Sequence, residues 1–299
     1  MKLFFSIPLF LILLRPDNAF AISVNDKTLY GDDNRRLVTE LNLSEDATTV
    51  KFSKSILAQI PSWRITKNNQ DSIEIETKDL KSGLNVCEGE RFLDQPIVSA
   101  CTAFLIGPKL IATAGHCVKN KFDCKKQTWV LDYDSSNDFV GPKGTITFSK
   151  DKTYECAELI TSSESPKLDF ALIRLDREVT GRTPLNFRRN GKTPSSESLM
   201  VIGHPLGMPK IMTDHIFIRD NSQEHSFQTN ADTFSGNSGS PVIGVESGLV
   251  EGLLVRGDDD FKMDLDLGCQ RPLTCMDKEC RGESVQRSNV LPFKYIPKF

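Results

Sequence analysis

A serine set among small residues constrains this chain more than any other feature. The run Thr233-Phe234-Ser235-Gly236-Asn237-Ser238-Gly239-Ser240-Pro241-Val242 places Ser238 where flanking backbone N–H groups can face a negatively charged oxygen. That arrangement suits a nucleophile with its own oxyanion donors. Upstream, Thr113-Ala114-Gly115-His116-Cys117 puts a histidine in a tight turn after an apolar run. Leu168-Asp169-Phe170-Ala171-Leu172-Ile173 puts an aspartate at the head of a predicted strand, so the order along the chain is His116, Asp169, Ser238.

A serine hydroxyl is a weak nucleophile near neutral pH and needs a base within hydrogen-bond reach. His116 is the candidate base, Asp169 the carboxylate that would fix its tautomer, and the N–H groups of Gly236 and Ser238 the candidate oxyanion hole. The order excludes an α/β-hydrolase elbow, in which G-x-S-x-G precedes the acid and then the histidine. Here position 240 is serine and no histidine follows Ser238. Order and flanks resemble the chymotrypsin/trypsin-like serine protease superfamily, and Gly236 to Val242 is similar to its secreted bacterial branch, which includes the glutamyl endopeptidases. Ile202-Gly203-His204-Pro205-Leu206-Gly207 and Asp169 to Leu175 carry the same likeness, which covers roughly residues 83 to 295.

The resemblance implies an all-β fold of two six-stranded antiparallel β-barrels, with His116 and Asp169 on the first, Ser238 on the second and the active site in the cleft between them. Short alternating runs between turn signals such as Gly107-Pro108-Lys109 agree with such a fold. It also implies a serine endopeptidase working through an acyl-enzyme without metal or cofactor, and a disulfide from Cys101 to Cys117 pinning the histidine turn. Asn237 stands where animal members carry an aspartate that pairs with a newly cut N-terminus, and a neutral amide cannot make that ion pair. Asp232 lies at the offset of the carboxylate at the base of trypsin's pocket, which would favour Lys or Arg on the acyl side; a loop-capping role is the alternative. The strand Leu249 to Gly257 lacks the histidine that meets the substrate carboxylate in glutamyl endopeptidases, although Arg256 could receive an acidic side chain. A glutamyl-type or broad-specificity endopeptidase therefore stays open, as does a protease-fold binding or adhesion protein.

Residues 1–21 read as a signal peptide, with Lys2, an apolar run from Leu3 to Leu14 and a small-x-small end at Ala19-Phe20-Ala21. No later apolar run is long enough to span a bilayer, so a secreted or periplasmic monomer acting on protein or peptide substrates is expected. Eight cysteines fit disulfides in an oxidising compartment. Cys124 and Cys156 are a plausible pair, whereas Cys87, Cys269, Cys275 and Cys280 cannot be paired from sequence. The net charge of −3 carries no nucleic-acid footprint. Residues 22–82, polar and irregular, read as a leader or propeptide and wrap segment, leaving 83–299 as the protease domain. Arg35-Arg36 is a candidate processing site within that segment. The loop with Asp258, Asp259, Asp260, Asp264 and Asp266 does not match EF-hand spacing, and His204, His215 and His225 lack the Ala-Gly-His-Cys setting and read as structural.

Overall fold

β-Branched and aromatic residues concentrate in short runs bounded by Gly, Pro, Asn and Asp, and those runs become strands. The computed structural model describes residues 28–134 and 143–296; the expected signal peptide and residues 22–27 lie outside the described residues. The first layer is a closed barrel of six strands, in spatial order Thr153–Glu164, Asp169–Leu175, Leu110–Thr113, Cys101–Gly107, Ile56–Pro61 and Gln127–Leu131. Leu57, Leu105, Ile111, Trp129 and Ile173 fill its interior with no exposed surface. The second layer is a curled sheet of eight strands in the order Ile218–Asp220, Ser226–Thr229, Glu283–Arg287, Val250–Arg256, Pro241–Gly244, Leu199–Gly203, Ile211–Ile216 and Arg36–Leu37. The expected all-β, two-barrel chymotrypsin-like architecture is present, with the second barrel left open as a half-barrel.

The boundary expected at residue 83 falls inside the fold. Ile56–Pro61, within the segment expected to be a leader or propeptide and wrap, is a fully buried barrel strand paired with Cys101–Gly107 on one side and Gln127–Leu131 on the other. Its one polar residue, Gln59, stays buried because its side-chain amide donates to the Cys117 carbonyl at 3.0 Å. Lys143–Ser149 lies outside the barrel and pairs with Ser72–Lys78 in a small separate sheet. Disulfides join Cys101 to Cys117, Cys124 to Cys156, Cys87 to Cys269 and Cys275 to Cys280. Among the described residues, no helix is long and apolar enough to cross a membrane.

The first described residues form a strap across the second sheet. Leu29–Tyr30 pairs in parallel with Thr274–Cys275, and Arg36–Leu37 adds the last strand to the eight-stranded sheet. Asp232 holds the strap between these points: its carboxylate accepts from Tyr30 N–H at 2.6 Å and Asn34 N–H at 3.3 Å. Arg35 is buried over the Phe234 ring, 4.6 Å from its centroid, and bonded to Asp33, so the Arg35-Arg36 pair is built into the folded chain.

Burial pushes the Asp232 carboxyl up to about 7, and the two backbone donors offset that only in part. Between the ordinary value of 3.8 and about 7, the folded chain keeps a proton that the unfolded chain has lost, so this group's contribution to stability falls as pH rises through that interval. Asp232→Asn retains an oxygen for Tyr30 N–H, and urea titrations across that interval should show the variant losing less stability with rising pH than wild type; parallel curves would remove Asp232 from the pH response. Leu57→Ala, in the buried strand Ile56–Pro61, should cost about 2–5 kcal/mol in the same titration. A chain starting at residue 83 should yield no cooperative transition.

Candidate active site

The strand Leu110–Thr113 runs antiparallel to Asp169–Leu175 with Thr113 opposite Ala171, which carries the turn after Thr113 to the end of the strand that begins with Asp169. Gly115 opens this turn, and any side chain there would strike the backbone carbonyl of Ser163. His116 then donates its backbone N–H to Asp169 Oδ1 at 3.0 Å, while its Nδ1 lies 2.9 Å from Asp169 Oδ2. Asp169 is almost wholly buried, and Gln286 of the second sheet accepts its backbone N–H at 2.9 Å. Burial alone would raise the Asp169 carboxyl, but the hydrogen bonds and charge of His116, together with the nearby Arg256, hold it below the usual carboxylate range. The Cys101–Cys117 bridge ties the same turn to the neighbouring strand.

That strand also receives the serine loop. Thr102 N–H donates to the Ser238 carbonyl at 2.9 Å, and Cys117 Sγ lies 3.8 Å from the same oxygen, so Ser238 is brought beside the histidine turn. The Thr102 hydroxyl donates to the Gly236 carbonyl at 2.8 Å and accepts from His204 N–H at 3.0 Å. Gly236 has φ +91°, and a side chain there would meet the His204 carbonyl. The Ser235 carbonyl accepts from Leu206 N–H at 2.5 Å, and because the peptide is trans the Gly236 N–H points the opposite way. The N–H groups of Asn237, Gly239 and Ser240 are engaged by Phe234, Leu254 and Asn237 carbonyls, whereas those of Gly236 and Ser238 donate to no group among the described residues. Two unpaired donors, one on the serine itself and one two residues before it, are what a developing oxyanion requires.

The remaining candidates divide. Asp232, expected at the base of a substrate pocket, instead spends its carboxylate on the N-terminal strap, because the strap's pairing with Thr274–Cys275 delivers Tyr30 N–H to it. Arg256, expected to face substrate, has its Nη2 3.4 Å from Asp169 Oδ2. His204 is wholly buried, stacks on Tyr133 at 5.4 Å and is driven by burial down to about 3, so it stays neutral and structural. Asn237 turns its side-chain oxygen to the Ser240 hydroxyl at 3.3 Å. In the acidic loop, Asp260 accepts from Ser235 N–H at 3.1 Å and Asp264 binds Arg271 at 2.9 Å. Among the described residues, Cys101, His116 and Cys117 form the one cluster of metal-ligand type, but both sulfurs are bonded to each other, which leaves no thiolate to hold an ion.

Three residues that sequence reasoning missed meet at this site: Thr102, Gln286 and Glu283. Glu283 is wholly buried, accepts from the Thr233 hydroxyl at 2.6 Å, and fills the space that a side chain on Gly257 would need. None of the three carries a local motif; tertiary pairing alone brings them in.

A family profile described as a trypsin-like peptidase domain matches residues 101–253. No curated protein matches the sequence. Among solved structures, Vibrio cholerae VesB protease is similar with a TM-score of 0.50 and 14% identity, over 88% of this chain and 65% of that one. A Glu endopeptidase gives a TM-score of 0.48 and 16% identity, over 89% of this chain and 98% of that one. The Rv3671c protease of M. tuberculosis in its active form gives 0.44 and 16%, over 96% and 95%. Identities this low speak to fold alone. The profile spans just over half of the sequence and takes in His116, Asp169 and Ser238 in a single stretch, and on that match the chain belongs to the trypsin-like peptidase family and is a serine-type peptidase.

Proposed function

We propose that this peptidase is an exported endopeptidase that cleaves peptide bonds through His116, Asp169 and Ser238. The observation that carries the reading is a histidine bonded to a buried carboxylate, set beside a serine loop whose Gly236 and Ser238 N–H groups have no partner among the described residues. Ser238 Oγ attacks the scissile carbonyl carbon while His116 Nε2 takes the hydroxyl proton. Asp169 holds Nδ1–H and stabilises the imidazolium, and the oxyanion rests on the two N–H groups. Collapse expels the amine, protonated by His116, and leaves an ester on Ser238. Water then attacks that ester with His116 again as base, releasing the acid and restoring the serine.

The preference for Lys or Arg on the acyl side, first tied to Asp232, finds a better carrier in Glu283. The run before Ser238 and the end of the strand Val250–Arg256 are the walls that the family resemblance gives to the substrate side chain. Glu283 bridges them through Thr233 and Gly257. A carboxylate held in a dry wall favours a cationic side chain and rejects an anionic one. Four disulfides and the expected signal peptide support export to an oxidising compartment, extracellular or periplasmic.

Cut sites in a mixed-sequence peptide library, read by mass spectrometry, test both parts. Wild type should cut after Lys and Arg, and Ser238→Ala should lose cleavage by about 10⁴-fold or more. Glu283→Gln keeps an acceptor for Thr233 and should lower kcat/KM for basic residues by roughly 10²-fold while sparing neutral ones. Cleavage that survives Ser238→Ala would refute the mechanism, and an unchanged preference in Glu283→Gln would refute the specificity assignment alone.

A further inference from the structure

We infer that Arg256 is a positioning residue: it reaches from the second sheet to Asp169 of the first barrel and sets the acid limit of activity. The inference rests on the proposed roles of His116, Asp169 and Ser238. Arg256 ends the strand Val250–Arg256, with its guanidinium half-exposed. Its Nη2 lies 3.4 Å from Asp169 Oδ2 and 3.5 Å from the Ser165 carbonyl. Ser165 accepts the Leu168 N–H on its hydroxyl at 3.0 Å, so the guanidinium spans both ends of the short loop that leads into Asp169.

The charge balance makes this contact consequential. Asp169 is anionic and almost wholly buried, and with His116 neutral it faces one cation, Arg256. When His116 accepts the serine proton, the carboxylate is shared by two cations, so Arg256 opposes protonation of the imidazole. It therefore keeps the base unprotonated at lower pH, at some expense to the imidazolium formed during catalysis. The other groups around Asp169 do not supply this. Gln286, from the strand Glu283–Arg287, is neutral and holds the backbone N–H, and Glu164 at the end of the strand Thr153–Glu164 is paired with Lys119 at 3.1 Å. Because the guanidinium is half-exposed, its influence is screened by salt. This role differs from substrate binding, in which Arg256 would instead govern KM for peptides with acidic side chains.

The test compares full-length Arg256→Gln and Arg256→Lys with wild type in kcat/KM against pH, on one peptide cleaved by all three. Arg256→Gln should move the acid limb upward by about 0.5–1 pH unit, Arg256→Lys should restore most of the shift, and the difference should shrink near 1 M NaCl. Proton NMR titration of the His116 ring in Ser238→Ala, with and without Arg256→Gln, reads the same coupling without turnover, so a failed peptidase mechanism and a failed role for Arg256 give different results. Coincident acid limbs and coincident ring titrations would overturn the inference. So would a rise in KM confined to acidic peptides.

Discussion

The active site hangs on one seam, where the strand Cys101–Gly107 meets the serine loop. Thr102 is wholly buried, and each of its polar groups is engaged: N–H to the Ser238 carbonyl, hydroxyl to the Gly236 carbonyl while accepting His204 N–H, and carbonyl to the Thr113 hydroxyl at 2.7 Å. One residue thus fixes the backbone at Ser238 and Gly236 and the end of the strand that leads to His116. A valine of similar shape would leave the Gly236 carbonyl and the His204 N–H unpaired in a dry interior, and such groups cost about 1–3 kcal/mol each. Rigidity comes at the point where a small displacement of the donors would matter most. Gly239, with φ +86°, completes the seam, since a side chain there would collide with the Thr102 carbonyl.

How much of this was legible in the sequence depended on whether the chemistry was local. His116, Asp169 and Ser238 each sit in a turn or strand head with a recognisable local motif, so three short motifs in order were enough to propose them, and the fold sets His116 against Asp169 and beside the Ser238 loop. Ile56–Pro61 was illegible for a physical reason: Gln59 interrupts a short apolar run, and only the Cys117 carbonyl, 58 positions away in sequence, makes that amide acceptable in a core. Residues 145–148 have the alternation of a strand, but the partner Ser72–Lys78 lies in the polar segment read as a leader or propeptide and wrap. Periodicity reports that a strand exists and is silent about which sheet receives it.

Side-chain direction was the least legible property of all. Asp232 has the offset of a pocket acid, yet an offset along the backbone cannot say which neighbour reaches the carboxylate first, and here a strap from the N-terminal segment does. Glu283 shows the converse. Nothing in Arg281-Gly282-Glu283-Ser284 marks a binding group, but the register that sets Glu283 opposite Thr229 turns its carboxylate toward Thr233, and Gly257 leaves it room. Arg256 likewise sits on the expected strand while its cation serves Asp169.

Asp169 and Asp232 are the same residue type, both buried, and their environments push them in opposite directions. Asp169 has a histidine that donates twice and an arginine within reach, so its charge is retained; Asp232 has two backbone N–H groups and the like charge of Asp33, so burial wins. The consequence is a division of labour with pH. The proposed base, His116, must be unprotonated to work, which favours higher pH, while the fold as a whole is more stable when the buried Asp232 keeps its proton, which favours lower pH. Proton transfer by the base and the Asp232 contribution to stability therefore respond to pH in opposite directions. A group that extends activity downward in pH, the role proposed for Arg256 beside Asp169, moves the working range toward conditions in which the fold is more stable.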